Sequence, residues 1–282
     1  MRKTLFIFLL SAVCAVSEAQ VQTPLASPAA SVSSVVGLTD VKIDYYRPRV
    51  RGRKVFGEKD VMYPYGSIWR TGANSGTKIS FSTDVKVEGI DVPKGEYLIF
   101  TWPGAREWTV SLYKDITLGG NTNDYDASNE AARFTVKPRK LAQKMETFTI
   151  SIADIAADNK SAIITLAWEE VEVPIKLEVD YDEQVMRSIA ANTKVNPRNY
   201  FESAVYYLET GRDLKQALQW MDLALESNPK AFWMLYQKAR IQKALGDKKG
   251  AIETATASLN AARDAKNRDY QTMNEELIRS LK

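Results

Sequence analysis

A run of arginines is the segment of this sequence best suited to chemistry. Arg47 to Gly57 reads RPRVRGRKVFG, and five of the eight residues from Arg47 to Lys54 are cationic. Because proline and glycine interrupt regular structure, the run is predicted to be a loop that follows a strand. Guanidinium groups bind carboxylates, phosphates and sulfates in two-pronged fashion and also stack on sugars or aromatic rings. Two interpretations stay open: capture of an anionic ligand, or a solvated loop neutralised by Asp44, Glu58 and Asp60.

A second cluster, Tyr63 to Asn74, follows soon after and reads YPYGSIWRTGAN. Trp69 and Arg70, followed by small and amide residues, favour a flat pocket wall with a polar edge. In the structural alternative, Trp69 plugs the end of a sandwich while Arg70 and Asn74 satisfy buried backbone groups. Since the two loops lie close together in sequence, we predict that they share one concave site. The predicted ligand-binding residues are Arg47, Arg51, Arg53, Trp69, Arg70 and Asn74.

Two acidic segments contain residue types that could bind a metal ion or catalyse hydrolysis. The segment 121–130 is rich in oxygen ligands, but its EF-hand register fails because Thr135 occupies position 12 counted from Asp124. Asn and Asp are also common in ordinary turns, so a turn is favoured and no metal site is predicted. A glycosidase needs two carboxylates about 5–9 Å apart across a groove. Glu169, Glu170 and Glu172 would provide them, although charged residues also protect sheet edges.

Two absences narrow the chemistry further. The chain contains no histidine, and Cys14 is its only cysteine. This composition excludes Ser-His-Asp and Cys-His catalytic groups, and it removes the side chains that bind zinc, copper or haem most readily. We therefore predict no cofactor and no catalytic residues. The net charge of +3 is too small to create a field for nucleic acid, so no nucleic-acid partner is expected.

The N-terminus predicts export. Arg2 and Lys3 are followed by an apolar run from Leu5 to Val16, and Ser17-Glu18-Ala19 supplies a small-x-small exit, so residues 1–19 are predicted to be a signal peptide. The apolar run is too short to span a bilayer as a permanent helix, and the protein is expected not to be membrane-spanning. Cleavage after Ala19 would discard Cys14, and Val13 before that cysteine disfavours the alternative of lipidation.

Beyond a linker at residues 20–30, residues 31–179 have the pattern of an all-β domain. Apolar and polar residues alternate with the period of strands, and Gly and Pro mark the turns. Gly95 to Gly104 is apolar on both faces and is predicted to be a central strand. The buried face must switch near Glu169-Glu170, which predicts a bulge. Many short strands without intervening helices favour an antiparallel sandwich, or a barrel-like variant.

The pattern becomes helical over residues 183–282. Ala217 and Ala251 stand 34 residues apart, each near the start of the second helix of a pair, and this period resembles the tetratricopeptide repeat. Two stacked helical hairpins are predicted over 199–263, supported by helices at 183–193 and 270–281, with Asn196-Pro197 punctuating the region before the first hairpin. Aromatic side chains exposed on the concave side would anchor a protein or peptide partner. The candidates are Tyr200, Tyr206, Tyr207, Trp220, Trp233, Tyr236 and Tyr270.

Several segments resemble the family called domain of unknown function 2911. They are SVVGLTDVKIDYYRPRVRGRKVFG, PYGSIWRTGANSGTKISFSTDV, PKGEYLIFTWPG and EWTVSLYKD, and the resemblance covers about residues 27–179. Members of that family are exported bacterial proteins, mostly from the Bacteroidetes group. The resemblance therefore implies a β-sandwich, a Gram-negative source and a periplasmic location. It implies no activity.

Taken together, these patterns predict a non-enzymatic periplasmic binding or scaffolding protein. The β-domain would bind a small anionic or glycan-like ligand at the arginine loop, and the helical tail would dock another protein. The alternative is a carboxylate-dependent glycan hydrolase. A hydrolase should show two acids facing one pocket, whereas a binding site should show arginines and aromatic residues alone.

Overall fold

Strands form the first part of the chain and helices form the second, as the sequence predicts. A computed structural model of the protein describes residues 23–192 and 198–282. Its contacts divide the chain into two units, residues 1–180 and 181–282. The predicted signal peptide with Cys14, and the Asn196-Pro197 pair, lie outside the described residues.

The β unit contains twelve strands within its described residues. In chain order they are β1 (Ala29–Val36), β2 (Thr39–Tyr46), β3 (Phe56–Gly57), β4 (Tyr63–Pro64), β5 (Thr77–Phe81), β6 (Val85–Val87), β7 (Ile90–Val92), β8 (Gly95–Trp102), β9 (Trp108–Tyr113), β10 (Glu130–Val136), β11 (Arg139–Ala153) and β12 (Ser161–Val179). Single 3-10 turns occur at Ile116–Leu118 and Ala127–Asn129.

The strands form two antiparallel sheets that enclose one apolar core. One sheet has the order β1-β2-β5-β8-β9-β10, and the other has the order β11-β12-β6-β7. Strands β3 and β4 pair in parallel as a separate small ribbon. Residues with a period of two face the core, as in β2, where Val41, Ile43 and Tyr45 are buried. The predicted antiparallel β-domain is confirmed.

Strand β8 lies in the interior of the six-stranded sheet and is apolar on both faces, as predicted. Ile99 faces the core, and it is 2% exposed. On the opposite face, the ring of Tyr125 covers Phe100 and Trp102, with ring centroids 5.0 and 5.3 Å apart. The segment between β9 and β10 therefore forms a lid that buries the outer face of this strand.

The predicted switch of the buried face in β12 is also confirmed. Leu166 and Trp168 are buried before the switch, and Val173 and Ile175 are buried after it. Glu169 adopts a left-handed backbone with a φ of 56°, and the register with β11 shifts on either side of Met145, its partner residue. An extra residue in one strand of a pair has this effect, because it reverses which face every later side chain occupies.

Six helices form the second unit within its described residues. They are α1 (Asp182–Asn192), α2 (Arg198–Glu209), α3 (Leu214–Ser227), α4 (Phe232–Ala244), α5 (Lys248–Asp264) and α6 (Arg268–Arg279). Helix α2 packs against α3, α4 against α5, and α5 against α6. The predicted helices at 183–193 and 270–281 correspond to α1 and α6, with residue 193 outside the described part.

The 34-residue repeat has a direct structural basis. Asp213 caps α3 by accepting hydrogen bonds from the backbone N–H groups of Lys215 and Gln216, and Asp247 caps α5 in the equivalent position. Ala217 and Ala251, one turn further on, are both fully buried, which allows neighbouring helices to approach closely. None of the helices in the described part of the chain is long and apolar enough to cross a membrane.

Candidate functional site

The arginine loop is tied to the four-stranded sheet by Arg47. The Nε of Arg47 donates to the backbone oxygen of Phe148 at 3.1 Å, and its Nη2 donates to Oγ1 of Thr149 at 2.8 Å. Both acceptors belong to β11. The half-buried Arg47 thus fixes the start of the loop, and its guanidinium is largely occupied by the protein itself.

The rest of the loop folds back on itself. Arg53 donates from Nε to the backbone oxygen of Val50 at 3.0 Å and from Nη2 to that of Arg49 at 2.7 Å. Arg51 turns the chain with a φ of 51°, and its backbone N–H donates to the carboxylate of Glu146 at 2.8 Å. These contacts hold the loop in one conformation, so a ligand would not have to order it.

Two carboxylates, those of Glu146 and Glu169, contact the backbone of this loop rather than its cationic side chains. None of the ion pairs in the described part of the chain involves any of its five cations, which are Arg47, Arg49, Arg51, Arg53 and Lys54. The nearby carboxylate of Glu169 instead accepts a hydrogen bond from the backbone N–H of Val55 at 3.1 Å. Asp44 pairs with Lys42. Arg49, Arg51 and Lys54 are exposed, so their charges face solvent.

Trp69 lies in the core of the domain. It is 1% exposed, and its ring centroid lies 5.1 Å from that of Phe148 and 5.6 Å from that of Trp168. Its Nε1 donates to the backbone oxygen of Gly72 at 3.0 Å. Both the apolar and the polar part of the indole are thus used within the protein.

The bend that follows Trp69 is buried and tightly packed. Thr71 has a φ of 53°, which is unusual for a β-branched residue, and it is fully buried. Its backbone oxygen accepts a hydrogen bond from Oγ1 of Thr77. Gly72 has a φ of 146°, and a Cβ there would lie 3.1 Å from the backbone oxygen of Tyr46. The bend therefore requires glycine and is held by its surroundings.

The remaining predicted residues make separate local contacts, and none of the six predicted binding residues lines any of the three cavities described below. Burial raises the pKa of Tyr63, and the positive charges of Arg70 and Arg53 offset part of this rise. Arg70 also donates from Nη1 to the backbone oxygen of Asn74 at 2.9 Å. Asn74 and Arg47 both contact the segment before β1. Nδ2 of Asn74 lies 3.5 Å from the backbone oxygen of Ser27, and the backbone N–H of Arg47 donates to the backbone oxygen of Pro28.

The oxygen-rich segment 121–130 uses its polar groups on itself. Nδ2 of Asn121 donates to the carboxylate of Asp124 at 2.6 Å. Asp126 accepts hydrogen bonds from the backbone and the hydroxyl of Ser128, and these bonds lower its pKa. Among the described residues, no group of three or more acidic or cysteine side chains is arranged to hold a metal ion.

The acids at the β12 bulge point to different partners. The carboxylate of Glu169 binds the backbone of Val55, as described above, and lies 3.9 Å from Nζ of Lys144. The carboxylate of Glu170 lies 3.5 Å from Nζ of Lys140. Of the three glutamates at this bend, only Glu170 lines the nearby cavity.

This cavity has a volume of about 380 Å³, lies on the β unit and was not anticipated from the sequence. Its aromatic residues are Phe56, Tyr65 and Trp108, and its charged residues are Arg139, Lys140 and Glu170. The basic run from Lys137 to Lys140 was visible in the sequence. Its position beside exposed Tyr65 was not, because these residues come from separate strands and turns.

Two further cavities occur among the described residues. One of about 590 Å³ lies beside the outer face of β2, β5 and β8, and Asp44, Tyr46, Lys78 and Ile116 line it with other residues. The other has about 580 Å³ and is formed by α2, α4 and α6 together with Ser280, which follows α6. Tyr236, Arg240, Lys243 and Met273 are among its lining residues, together with Glu276.

The aromatic residues singled out in the helical unit remain partly accessible. None of Tyr200, Tyr206, Tyr207, Trp220, Trp233, Tyr236 and Tyr270 is fully buried. Of these, Tyr236 lines the helical cavity, and its ring packs edge-on against that of Tyr270, with centroids 5.7 Å apart.

Comparison with known proteins gives one family and one solved structure. No curated protein matches the chain significantly. The similar solved structure is that of the tetratricopeptide repeat domain protein from Salinibacter ruber. The two chains share 16% sequence identity with a TM-score of 0.28, and the match covers 30% of this chain and 96% of the Salinibacter chain. The family described as "Protein of unknown function (DUF2911)" matches residues 27–177, more than half of the 282-residue chain. The chain therefore belongs to the DUF2911 family.

Proposed function

We propose that this is an exported, non-enzymatic binding protein whose β-domain captures a small anionic ligand at the arginine loop. One observation carries the proposal: a loop with five cations forms no ion pair in the described part of the chain. The exposed guanidinium groups of Arg49 and Arg51 are the ligand-binding groups, because those of Arg47 and Arg53 are held by backbone oxygens. Trp69 is left out of the proposed site, since it is 1% exposed.

The distribution of acids supports binding over hydrolysis. Hydrolysis of a glycosidic bond requires two carboxylates across one groove. Each of the three cavities described above is lined by a single carboxylate, from Asp44, Glu170 or Glu276. The glycan-hydrolase alternative therefore lacks support from any of these cavities.

We propose further that the helical unit docks a segment of another protein against α2, α4 and α6. Half-buried Tyr236 and Met273 offer apolar contacts, as the concave surfaces of helical arrays commonly do. Arg240 is paired with Glu209 at 2.7 Å, so Lys243 is the lining cation that a partner's carboxylate would meet. A segment with apolar side chains and one carboxylate would complement this surface.

Calorimetric titration of the purified protein with inorganic phosphate, sulfate and citrate tests the proposed anion site. Each of Arg49→Gln and Arg51→Gln should weaken binding by roughly tenfold, because an exposed charge-assisted hydrogen bond contributes about 1.5 kcal/mol. Binding should also weaken as sodium chloride is added, since exposed charges are screened.

Arg268→Gln is the matched control, because Arg268 is an exposed arginine in α6 and its substitution changes the net charge equally. Its anion affinity should equal that of the unsubstituted protein. Equal affinities for the two loop variants and the control, or no binding of any of the three anions, would refute the proposed function.

A further inference from the structure

We propose that the cavity at Tyr65 and Arg139 is a second ligand site, which binds a sugar unit carrying one carboxylate. None of the five cations of the arginine loop lines this site, although Phe56 near the end of that segment does. Its volume of about 380 Å³ lies within the range of roughly 300–1,000 Å³ that is usual for small-molecule sites.

The exposed ring of Tyr65 provides a surface for the apolar face of a sugar ring, and Phe56 and Trp108 also line the cavity. Phe56 and Trp108 are almost fully buried and pack edge-to-face, with centroids 4.8 Å apart. Tyr65 is 40% exposed, so its ring is open to a ligand. The C–H groups of a pyranose ring carry partial positive charge, and they pack favourably on the negative face of an aromatic ring.

The position of Tyr65 is fixed by backbone contacts. Its N–H donates to the oxygen of Gly57 at 2.8 Å, and the N–H of Gly66 donates to the oxygen of Pro103 at 2.8 Å. The second bond joins this segment to the β8–β9 turn, where Gly104 also lines the cavity. Two separate segments are thus held together around the site before any ligand binds.

The charged groups select one negative charge and several hydroxyls. The exposed guanidinium of Arg139 makes no hydrogen bond or ion pair with another described residue, and a carboxylate would bind it through two parallel hydrogen bonds. Lys140 and Glu170 form an exposed pair at 3.5 Å, which would supply one donor and one acceptor for sugar hydroxyls.

Glu170 also distinguishes between classes of anion. Together, Arg139, Lys140 and Glu170 give the cavity a net charge of +1, which a single carboxylate balances. A phosphate with two negative charges would exceed this balance, and Glu170 would repel it more strongly than it repels a single carboxylate, because like charges at close range oppose binding. An acidic sugar, in contrast, has hydroxyl donors for this carboxylate.

The test is calorimetric titration of the intact protein with galacturonate and with its methyl ester, which keeps the sugar ring and removes the single negative charge. Galacturonate should bind at millimolar concentration or below, and the methyl ester should bind at least tenfold more weakly. Arg139→Gln and Tyr65→Ala should each reduce galacturonate affinity by tenfold or more. Both residues are exposed, so the melting temperature should not change.

Arg106→Gln is the local control, because Arg106 is an exposed arginine of the same β8–β9 turn that does not line the cavity. It should leave galacturonate binding unchanged. The proposal is overturned if the unsubstituted protein does not bind galacturonate, if the ester binds equally well, or if inorganic phosphate competes as effectively as the sugar. It is also overturned if Arg51→Gln abolishes binding while Arg139→Gln does not, an outcome that would leave the arginine loop as the anion site.

Discussion

Replacement of Trp69 separates a structural role of the WRTGAN segment from a role in ligand binding. A buried tryptophan removes about 150–250 Å² from water, worth roughly 4–6 kcal/mol at about 25 cal/mol per Å². Unfolded chains already hide part of this surface, and measured Trp→Ala changes are about 3–5 kcal/mol. Because Trp69 is 1% exposed, we expect Trp69→Ala to lower the free energy of unfolding by about 4 kcal/mol.

A milder substitution isolates the polar part of the same effect. Trp69→Phe keeps an aromatic ring but removes the N–H that donates to the backbone oxygen of Gly72. Gly72 is buried, so its oxygen would be left without this partner. We expect a loss of about 1–3 kcal/mol from this unsatisfied group and the smaller ring.

Trp102→Phe serves as the control for both variants. Trp102 is only half-buried, and the guanidinium of Arg133 lies 4.3 Å from its ring centroid. Loss of this exposed cation–π contact should cost less than about 1 kcal/mol. Guanidinium chloride unfolding followed by near-ultraviolet circular dichroism gives the three free energies, and calorimetry gives anion binding by the folded variants.

The structural role of Trp69 would be refuted if Trp69→Phe lost its anion affinity while its free energy of unfolding stayed within about 0.5 kcal/mol of that of the unsubstituted protein. Trp69 would then contact ligand, and the buried position described above would not be the one relevant to binding.

Two further predictions concern the helical unit. Residues 181–282 expressed alone should melt broadly when followed by circular dichroism, because many of their fully buried positions are alanines such as Ala217 and Ala251, which bury little apolar surface. A sharp, cooperative melt would contradict this prediction. Burial and a hydrogen bond to the Asp182 carboxylate raise the pKa of Tyr206 to about 12, from the ordinary 10.0. A raised tyrosine pKa contributes stability below pH 10 that is lost as the pH rises to about 12, so the contact between α1 and α2 should weaken in this window. Tyr206→Phe should remove a late step from the tyrosinate absorbance titration, and identical titrations would refute the assignment.

Local patterns were enough to predict the secondary structure and its class. The alternation of apolar residues located the main strands, and the 34-residue spacing of Ala217 and Ala251 located the helical pairs. The change of parity in β12 predicted the bulge at Glu169, because a strand has only two faces and a buried one must stay buried. These features depend on residues that are near one another in sequence.

The partners of the arginines could not be predicted in the same way. Arg47 binds β11 about a hundred positions further along the chain, and nothing in the local sequence indicates that a backbone oxygen occupies its guanidinium. The same loop leaves Arg49 and Arg51 exposed. Which cations remain free for a ligand therefore depends on strand pairing between distant segments.

The sequence by itself determined which catalytic groups the composition excludes, the order of strands and helices, and the segments where charged and aromatic residues are dense. The absence of histidine excludes several catalytic groups without reference to the fold. Only the tertiary structure decided that Trp69 is core and that Tyr65 lies beside Arg139 in one cavity. The physical reason is that periodicity reports which face of an element avoids water, whereas a site requires convergence of side chains from elements that are far apart in sequence.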